Sequence, residues 1–349
     1  MDYGPNFIVG TGRCGSTLLS RMLVRHPDIL SLSEVFTSFT TQALFARKLD
    51  AKAFSRKLER QSRKLSEVMK TENSPSEFAY EYSPESAFNP ETLPACMMMT
   101  LPHLSTQPDA LYKEMQPVVS QWPKRPLSEH YLAWFDWLQA RQGKALWIER
   151  TGSSITMVRA LHRMFPNAKF IHIYRDGRET ALSLRAHKPM RVFLNMRKRL
   201  KRIGIDILKT PFRYSDSHII YRAAPLIERL VPVNELLNDM PSVEAAGKFW
   251  SDMIAVGLAD LARVPPSQRY NMRYADLVAA PRETLSAMLD FAAPGLPSEG
   301  WLDEVQAMPR YREPAWMALA ADDQAKLEAT CAKGTALLEQ TEGHRPSTT

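Results

Sequence analysis

Short apolar stretches alternate with helical patterns along most of this chain. Five stretches rich in β-branched, aromatic and aliphatic residues predict strands at 6–10, 28–32, 145–149, 168–174 and 269–273. Apolar residues at helical spacing predict helices at 16–25, 153–165, 177–187, 245–263, 281–292 and 322–339. Strands that alternate with helices in this way indicate an α/β fold, with a parallel sheet flanked by helices.

Two long segments break this rhythm. Residues 41–144 and 188–244 are rich in Pro, Met, Lys and Arg, and their periodicity is irregular. We expect both to be helical insertions within a single domain of residues 1–349, forming an acceptor-side lid, because long insertions in compact domains often carry binding loops. The alternative for 41–144 is a separate helical domain, which the length of the chain permits.

The composition is that of a globular protein. A chain of 349 residues with 44% hydrophobic content can bury a large core. Its three cysteines are too scattered to indicate a disulfide framework, and no grouping of His, Cys and carboxylates has metal-ligand spacing, so we expect no metal. With neither a signal-peptide pattern nor an apolar run of membrane-spanning length, we expect a cytoplasmic protein.

Positive charge is concentrated in one segment, residues 185–213. The whole chain has a net charge of +7, which favours anionic ligands, and this basic run holds ten Lys and Arg against one acid, Asp206. Like charges at i,i+4 spacing destabilise a helix, so something else should compensate them. An approximately helical apolar stripe runs through the segment at Leu194, Leu200, Ile203, Ile207 and Leu208.

We therefore expect the basic run to pack its apolar face on the core and to turn its cations outward or toward the ligand. In that position it would form part of a lid that attracts an anionic acceptor, or contact a membrane surface that carries one. The alternative is a face that is merely solvated.

The first candidate site is the stretch "FIVGTGRCGSTLLSRML", residues 7–23, which passes from a strand through a Gly-rich turn into a helix. This is the layout of a phosphate-binding loop, so we expect the parallel sheet to be of the P-loop type. Backbone amides in such a turn, with the helix N-terminus, can hold one phosphate group, and hydroxyl and guanidinium groups add donors. A triphosphatase loop would end in Gly-Lys-Ser/Thr, whereas here Ser16 follows Gly15 directly. The candidate residues of this loop are Gly12, Arg13, Cys14, Gly15, Ser16 and Thr17.

The second candidate site is "FPNAKFIHIYRDGRETALSLRAH", residues 165–187. An apolar strand ends there in Arg175, a tight turn starts a helix, and Ser183 follows eight residues after Arg175. A strand-end arginine and a hydroxyl on the next helix can converge on one anion at the carboxyl edge of a parallel sheet. In the alternative interpretation, Arg175 is a surface ion-pair partner and Ser183 an ordinary helical serine.

Together the two stretches resemble the nucleotide site of sulfotransferases that use 3′-phosphoadenosine-5′-phosphosulfate (PAPS). Those enzymes have a 5′-phosphosulfate loop of the form Arg-Ser-Gly-Thr-Thr and a 3′-phosphate site of the form Arg-Asp-x-Arg with a later Ser. Here Cys14-Gly15-Ser16-Thr17 replaces Ser-Gly-Thr-Thr, which keeps a hydroxyl at Ser16 and loses one at Cys14. The resemblance implies PAPS as co-substrate, adenosine-3′,5′-bisphosphate (PAP) as product, and no metal.

The pattern is most similar to the tyrosylprotein sulfotransferase-like branch and its bacterial relatives. In that branch a glutamate 21 residues after the loop arginine is the catalytic base, and "RHPDILSLSEVF" has Glu34 at that offset from Arg13. A lysine 25 residues before the 3′-phosphate arginine stabilises the transition state, and Arg150 in "LWIERTG" occupies its position. Arginine keeps the positive charge but does not give up a proton.

The resemblance also assigns residues near the C-terminus to the nucleotide. Tyr274 in "MRYADLVAAP" corresponds to a tyrosine that approaches the adenine. Arg310 or Arg312 in "PRYREPAW" corresponds to a basic loop that contacts the 3′-phosphate.

The function implied is in-line transfer of a sulfuryl group from PAPS to an acceptor hydroxyl. Glu34 would take the acceptor proton, while Arg13 and Arg150 would stabilise charge as PAP leaves. The acceptor could be a sugar, a lipid, a phenol or a peptide. Two other classes stay open: a P-loop kinase, which the missing lysine opposes, and a nucleic-acid binder that uses the basic run, for which no recognised motif is present.

Individual residues also have alternative roles. Glu34 could simply cap the next helix. His162 and His172 are other candidate bases, although the position of His172 within a strand favours a structural role. The methionines at 97–99 are interpreted as adaptable packing or as an apolar acceptor surface.

Overall fold

The computed structural model describes residues 3–39, 43–44, 48–60, 78–208 and 232–342. Its centre is a five-stranded parallel sheet with the order β2-β5-β1-β6-β7. These strands are β1 (Asn6–Val9), β2 (Ile29–Ser33), β5 (Leu146–Arg150), β6 (Lys169–Tyr174) and β7 (Arg269–Arg273). A short antiparallel pair lies outside it, β3 (Lys48–Leu49) and β4 (Arg125–Pro126).

Helices occupy most of the remaining described chain. They are α1 (Ser16–Val24), α2 (Val35–Phe39), α3 (Ala51–Glu59), α4 (Ala95–Met98), α5 (Pro108–Ser120), α6 (Leu127–Arg141), α7 (Val158–Met164), α8 (Gly177–Ala186), α9 (Lys188–Lys201), α10 (Val233–Asn238), α11 (Val243–Leu261), α12 (Tyr274–Ala279), α13 (Pro281–Ala292), α14 (Glu299–Val305) and α15 (Ala321–Glu342). Short 3-10 helices at Ser154–Met157 and Ala315–Ala318 precede α7 and α15.

The two faces of the sheet bury different sets of side chains. Successive residues of a strand point to opposite faces, so Phe7 of β1 packs on one side and Ile8 on the other. The Phe7 side is covered by α6, α11 and α15, and its aromatic contacts include Phe7 against Phe170. The Ile8 side is covered by α1, α13 and α14. The fold class predicted from the sequence is therefore confirmed.

The topology creates a crevice at the carboxyl edge of the sheet. Strand β1 lies between β5 and β6. After β1 the chain forms β2 and β5 on one side of β1 in the strand order, and it then crosses over to form β6 and β7 on the other side. In open α/β sheets such a switch point is where ligands bind, outside the carboxyl ends of the strands. Each of the five strands ends at this edge, because all of them are parallel.

The sequence pattern predicted these elements closely. Each predicted strand agrees with an observed one to within one residue at either end. The predicted helix at 153–165 is a 3-10 helix at Ser154–Met157 followed by α7. The helical segment starts after Ser153, because Ser153 has a left-handed backbone conformation that an α-helix does not contain. The predicted helices at 16–25, 177–187, 245–263, 281–292 and 322–339 correspond to α1, α8, α11, α13 and α15.

The described parts of the two insertions are mainly helical. Helices α3 to α6 lie within 41–144, and α9 and α10 lie within 188–244. The first insertion shares a hydrophobic core with the sheet: Phe135 of α6 packs edge-on against Trp147 of β5, with ring centroids 4.9 Å apart. That the insertions belong to one domain and form a lid stays a prediction, and 61–77 and 209–231 lie outside the described residues.

The structure also bears on the methionines at 97–99 and on membrane-spanning helices. Met97, Met98 and Met99 are buried in the core on the Phe7 side, which agrees with packing rather than an exposed acceptor surface. Among the helices of the described ranges, none combines the length and the apolar character that crossing a membrane requires.

Candidate active site

The Gly-rich loop connects β1 to α1 and has the backbone conformation that a phosphate cradle needs. Gly12 and Gly15 have φ of +75° and +98°, in the left-handed region that favours glycine. A Cβ at Gly15 would lie 2.1 Å from the ring of Tyr274, so a side chain there would also displace the tyrosine. Helix α1 begins directly after Gly15 without a side-chain cap, which leaves the first-turn amides available to an anion.

The side chain of Cys14 interacts through its sulfur with the backbone and the hydroxyl of Ser16. It is fully buried with Ile8 and Ile173, and burial raises the pKa of its thiol. A contribution of Cys14 to phosphate binding would therefore come from its backbone N–H. This position explains why losing the hydroxyl of the family pattern is compatible with the loop.

The two phosphate motifs meet in space. Arg13 Nε donates a hydrogen bond to Ser183 Oγ at 3.0 Å, which joins the loop to α8 across 170 residues of sequence. Arg175 follows β6 directly, and its guanidinium carbon lies 5.0 Å from the ring centroid of Tyr274. Because the Tyr274 ring also contacts Gly15, these residues form one cationic cluster at the carboxyl edge of the sheet.

Arg175 is oriented by an acid that the sequence analysis missed. Its Nη2 lies 3.2 Å from Glu179 Oε2, one helical turn further along α8. The other oxygen, Glu179 Oε1, accepts a hydrogen bond from the backbone N–H of Trp316 at 2.9 Å. Glu179 thus links the predicted 3′-phosphate arginine to the C-terminal segment, and its i,i+4 spacing from Arg175 is the signal that could have indicated this.

The structure does not bring Arg310 and Arg312 into the cluster. Both are exposed on the segment that leads to Trp316. Trp316 itself is held against α8, with the guanidinium carbon of Arg178 3.9 Å from its ring centroid. The assignment of Arg310 or Arg312 to a nucleotide therefore stays a prediction.

Glu34 and Arg150 form a buried ion pair at the ends of neighbouring strands. Glu34 follows β2 and Arg150 ends β5, and their residues are only 5% and 3% exposed. Arg150 Nη1 donates to Glu34 Oε1. Glu34 Oε2 accepts from the backbone N–H of Gly152 at 3.0 Å and from Thr37 Oγ1 at 2.6 Å. The predicted base is therefore fixed by three donors.

The guanidinium of Arg150 is not fully used by these contacts. Its Nη2 lies 3.4 Å from Ser33 Oγ, and its buried Nε has no hydrogen-bond partner among the described residues. A buried N–H without a partner is costly, so such groups are uncommon unless a ligand or water completes them. Arg150 therefore has a donor available to an oxygen at this edge of the sheet.

Residues 152–153 join the ion pair to the Gly-rich loop. Gly152 bonds Glu34, and Ser153 Oγ donates to the carbonyl oxygen of Thr11 at 3.0 Å. Within the described ranges, the non-glycine residues with positive φ are Arg13, Glu34 and Ser153. Left-handed backbone at such residues is unfavourable and is concentrated at functional sites, and all three lie here.

A second acid, Glu149, lies next to Arg150 of the Glu34–Arg150 ion pair. Glu149, in β5, is completely buried, and its Oε1 accepts a hydrogen bond from Thr151 Oγ1. Burial, together with the charge of Glu34, raises the pKa of Glu149 to about 8. The sequence analysis missed this residue, although an acid at the end of the otherwise apolar stretch "ALWIE" is a signal of a special environment.

The alternative histidine bases lie elsewhere. His172 is 1% exposed, and its Nδ1 lies 3.2 Å from Asn271 Oδ1 on the next strand. Burial lowers the pKa of His172 to about 4, so its ring stays neutral in the sheet. The His162 ring packs edge-on against Phe170 on the core side of α7.

The basic run departs in part from the expectation that its cations point outward or toward the ligand. Arg197 of α9 is buried, and it forms a two-bond ion pair with Asp206 at 2.8 Å and another with Asp252 of α11 at 2.6 Å. Hydrogen bonding from Arg197 lowers the pKa of Asp206 well below its usual range. Asp206, within the run, and Asp252, on α11, thus compensate part of the repulsion between its positive charges.

Other cations of the run are also engaged. Arg185 and Arg191 donate to backbone carbonyls, and Arg199 pairs with Glu235 of α10. Lys198 and Arg202 are exposed, as is Ile203, which the apolar stripe predicted to be covered. Leu194 and Leu208 are buried as predicted, and Lys209 and Arg213 lie outside the described residues.

The start of α9 approaches the candidate active site. Met190 Sδ lies 3.7 Å from Ser153 Oγ, beside the Gly-rich loop. Within the described part of the chain, no group of three His, Cys, Asp or Glu residues is arranged to hold a metal ion.

The fold and this edge together define an α/β protein with a cationic cluster at the switch point of a parallel sheet. A family model described as "Sulfotransferase family" matches residues 5–223, more than half of the chain. The chain belongs to the sulfotransferase family.

Solved structures with sulfotransferase titles align with nearly the whole chain. The sulfotransferase domain from the curacin biosynthetic pathway has a TM-score of 0.45 at 17% identity, covering 98% of this chain and 99% of its own. The sulfotransferase domain of the Synechococcus PCC 7002 olefin synthase has a TM-score of 0.42 at 17% identity, covering 98% and 97%. A sulfotransferase from Mycobacterium avium has a TM-score of 0.44 at 15% identity, covering 97% and 77%. No curated protein sequence matches the chain.

Proposed function

We propose that this sulfotransferase uses PAPS as donor and transfers its sulfuryl group to an acceptor hydroxyl, with Glu34 as general base. The observation that carries the proposal is the hydrogen bond between Arg13 and Ser183. It joins two motifs that were each predicted from the sequence to bind a separate phosphate. A donor with phosphate groups at both its 5′ and 3′ positions needs two anion sites in one cleft.

The 5′ end of the donor would occupy the loop of residues 12–17. Its left-handed glycines and first-turn amides suit one phosphate group, and Ser16 and Thr17 add hydroxyls. The 3′-phosphate would lie between Arg175 and Ser183, and Tyr274 would approach the adenine. Arg310 and Arg312 are candidates for further contact only if their segment moves closer when the nucleotide binds.

Glu34 would take the proton of the acceptor hydroxyl. Its carboxylate already accepts hydrogen bonds from Gly152 and Thr37, so its position is fixed before the acceptor arrives. Arg150, with a buried N–H that lacks a described partner, would donate to the oxygen on which negative charge develops as PAP leaves. PAPS itself supplies the activated sulfuryl group, so this chain contributes orientation, charge and removal of one proton.

An acceptor with a hydroxyl group is the substrate class consistent with a carboxylate base. Within that class, the candidate acceptors are a sugar, a lipid, a phenol and a peptide. An acceptor panel with sulfur-labelled PAPS would identify the class.

The donor is tested by comparing PAP with AMP, which lacks the 3′-phosphate. We expect PAP to stabilise the protein against thermal unfolding, by about 2.7 kcal/mol at 100 times its Kd, and AMP to do so far less. Equal stabilisation by the two nucleotides would exclude the 3′-phosphate site. Activity that required magnesium and ATP in place of PAPS would favour the kinase alternative instead.

A further inference from the structure

Glu149 is a buried carboxyl group that forms no ion pair with any cation in the described part of the chain. It lies within the sheet beside Phe7 and Leu32 of the neighbouring strands, and none of its surface is exposed. Oε1 accepts a hydrogen bond from the Thr151 hydroxyl, and the backbone N–H of Val35 also favours the ionised form, but Oε2 has no partner of good hydrogen-bond geometry among the described residues. An ionised carboxylate in such a place would be strongly unfavourable.

The charged groups that face Glu149 are Glu34 and Arg150. Arg150 directs its guanidinium to Glu34 and Ser33 and not to Glu149. If both carboxyl groups were ionised around this single guanidinium, the three groups would carry a net charge of −1. Burial and the charge of Glu34 both oppose that state, and they raise the pKa of Glu149 to about 8.

Glu149 is also connected to the backbone next to the predicted base. Thr151 Oγ1, which donates to Glu149, accepts a hydrogen bond from the backbone N–H of Phe36 at 3.1 Å. Phe36 lies in the first turn of α2, two residues after Glu34. One hydroxyl therefore separates Glu149 from the turn that orients Glu34.

We propose that Glu149 is a positioning residue that holds one solvent-derived proton, so that the positive charge of Arg150 is left to Glu34 and to the bound nucleotide. This inference rests on the proposed function. It adds a residue to the site that acts through Arg150 and Glu34 without touching the substrate. Oε1 accepts the hydrogen bond from Thr151 in either protonation state, and the uncharged acid adds no negative charge beside an anionic ligand.

The sign of the pH dependence follows from this arrangement. When Glu149 loses its proton, the added negative charge repels the phosphates of PAP, so affinity falls as pH rises through about 8. By linkage, PAP binding at pH 8 must then draw a proton from the buffer onto Glu149. The nucleotide's own phosphates complete their ionisation near pH 6, which separates the two effects above pH 7.

The test is calorimetric titration of PAP into the full chain at pH 8, in buffers with different ionisation enthalpies. For the wild type we expect net proton uptake on PAP binding, and we expect the Kd for PAP to rise about three- to tenfold between pH 7 and pH 9.5. Glu149→Gln carries an uncharged amide of the same shape, so PAP binding to this variant should take up no proton. Its Kd for PAP should change less than about twofold between pH 7 and pH 9.5. Glu304→Gln, at an exposed ion pair with Arg25, is the control and should follow the wild type.

The wild type alone can overturn the inference if Glu149→Gln does not fold. Wild-type PAP binding that shows neither proton uptake nor a rise of Kd anywhere between pH 7 and pH 9.5 would overturn this inference and leave the proposed function intact. A pH dependence identical in Glu149→Gln and the wild type would do the same. Absence of PAP binding at every pH would remove the proposed donor, and this inference with it.

Discussion

Two buried arginines in this protein differ in how completely they are bonded. Arg197 in α9 meets two aspartates, Asp206 and Asp252, with three hydrogen bonds. Arg150 at the end of β5 meets one glutamate and a distant serine, and its Nε lacks a described partner. The first arginine is satisfied by the fold, and the second has a donor for which the described residues supply no acceptor.

This difference indicates a structural role for Arg197 and a candidate catalytic role for Arg150. Burial and positive charge are common to both arginines, so neither property alone indicates function. What distinguishes Arg150 is its position at the carboxyl edge of the sheet beside a glutamate with left-handed backbone. Substitutions at both arginines and at Glu34 test this distinction.

The largest effect is expected at Glu34. Glu34→Gln keeps the shape of the side chain but cannot accept a proton, so turnover should fall by roughly 10² to 10⁴ while PAP affinity stays near wild type. The measurement is sulfuryl transfer from labelled PAPS, with calorimetry for PAP. Glu304→Gln is the matched surface control. A Glu34→Gln enzyme with more than about half of wild-type turnover would contradict the assignment.

The next effect is expected at Arg150. Arg150→Met removes the donor for the developing charge, and turnover should fall by about 10² to 10³. Arg150→Lys keeps the charge that the family pattern carries at this position, so it should retain more activity than Arg150→Met. Thermal unfolding of both variants controls for the loss of the partner of Glu34. If Arg150→Met turned over like the wild type, the contrast with Arg197 would lose its functional meaning.

Arg197 should affect stability and leave the nucleotide site unchanged. Arg197→Met leaves Asp206 and Asp252 without their partner, and we expect the free energy of unfolding to fall by about 2–4 kcal/mol. Denaturant unfolding measures this, and PAP calorimetry on the folded variant should return the wild-type Kd. Arg199→Met, at an exposed pair with Glu235, should change stability by less than about 0.5 kcal/mol. A weakened PAP affinity in Arg197→Met would show that α9 contributes to the nucleotide site.

Arg175 tests the half of the site that binds the 3′-phosphate. Arg175→Ala removes a charged hydrogen-bond donor, so PAP affinity should fall by about 1.5–3 kcal/mol while AMP affinity stays nearly constant. Binding of the two nucleotides to the variant should therefore become similar. Arg21→Ala, on the exposed face of α1, is the control. Retained discrimination in Arg175→Ala would move the 3′-phosphate to other residues, with Arg310 and Arg312 the next candidates.

The sequence predicted the sheet and the strand ends well, because these depend on local patterns. Arg150, Arg175 and Tyr274 end or directly follow strands that were predicted from apolar periodicity, and Glu34 follows another. Parallel strands bring such residues to one edge, so their approach was implied by the fold class.

The partners of these residues could not be predicted in the same way. Glu149 gains its unusual environment from the neighbouring strands, and Asp252 reaches Arg197 from a helix 55 residues away. Both depend on tertiary packing that no local pattern encodes. The same limit explains why the buried ion pairs of Arg197 were not predicted for a run whose cations were expected to point outward or toward the ligand.

The smallest effect is expected from the cations that do lie outward on α9 and just after it. Lys198 and Arg202 are exposed, and Arg202 is followed by Ile203, whose side chain is 71% exposed. If this surface attracts an anionic acceptor, Lys198→Glu with Arg202→Glu should raise the acceptor KM about threefold at low salt and flatten its salt dependence, because surface charges act over the Debye length. Stability should change by less than about 0.5 kcal/mol.

The control for this double variant must change the net charge equally. Arg21→Glu with Lys333→Glu does so on exposed positions of α1 and α15. Equal responses of the two double variants would mean that overall charge, and not the α9 surface, attracts the acceptor. Binding to anionic vesicles that is lost only in the α9 variant would instead favour a membrane contact. Because Met190 at the start of α9 lies beside Ser153, a response specific to α9 would place the acceptor's approach on the same side as the Gly-rich loop.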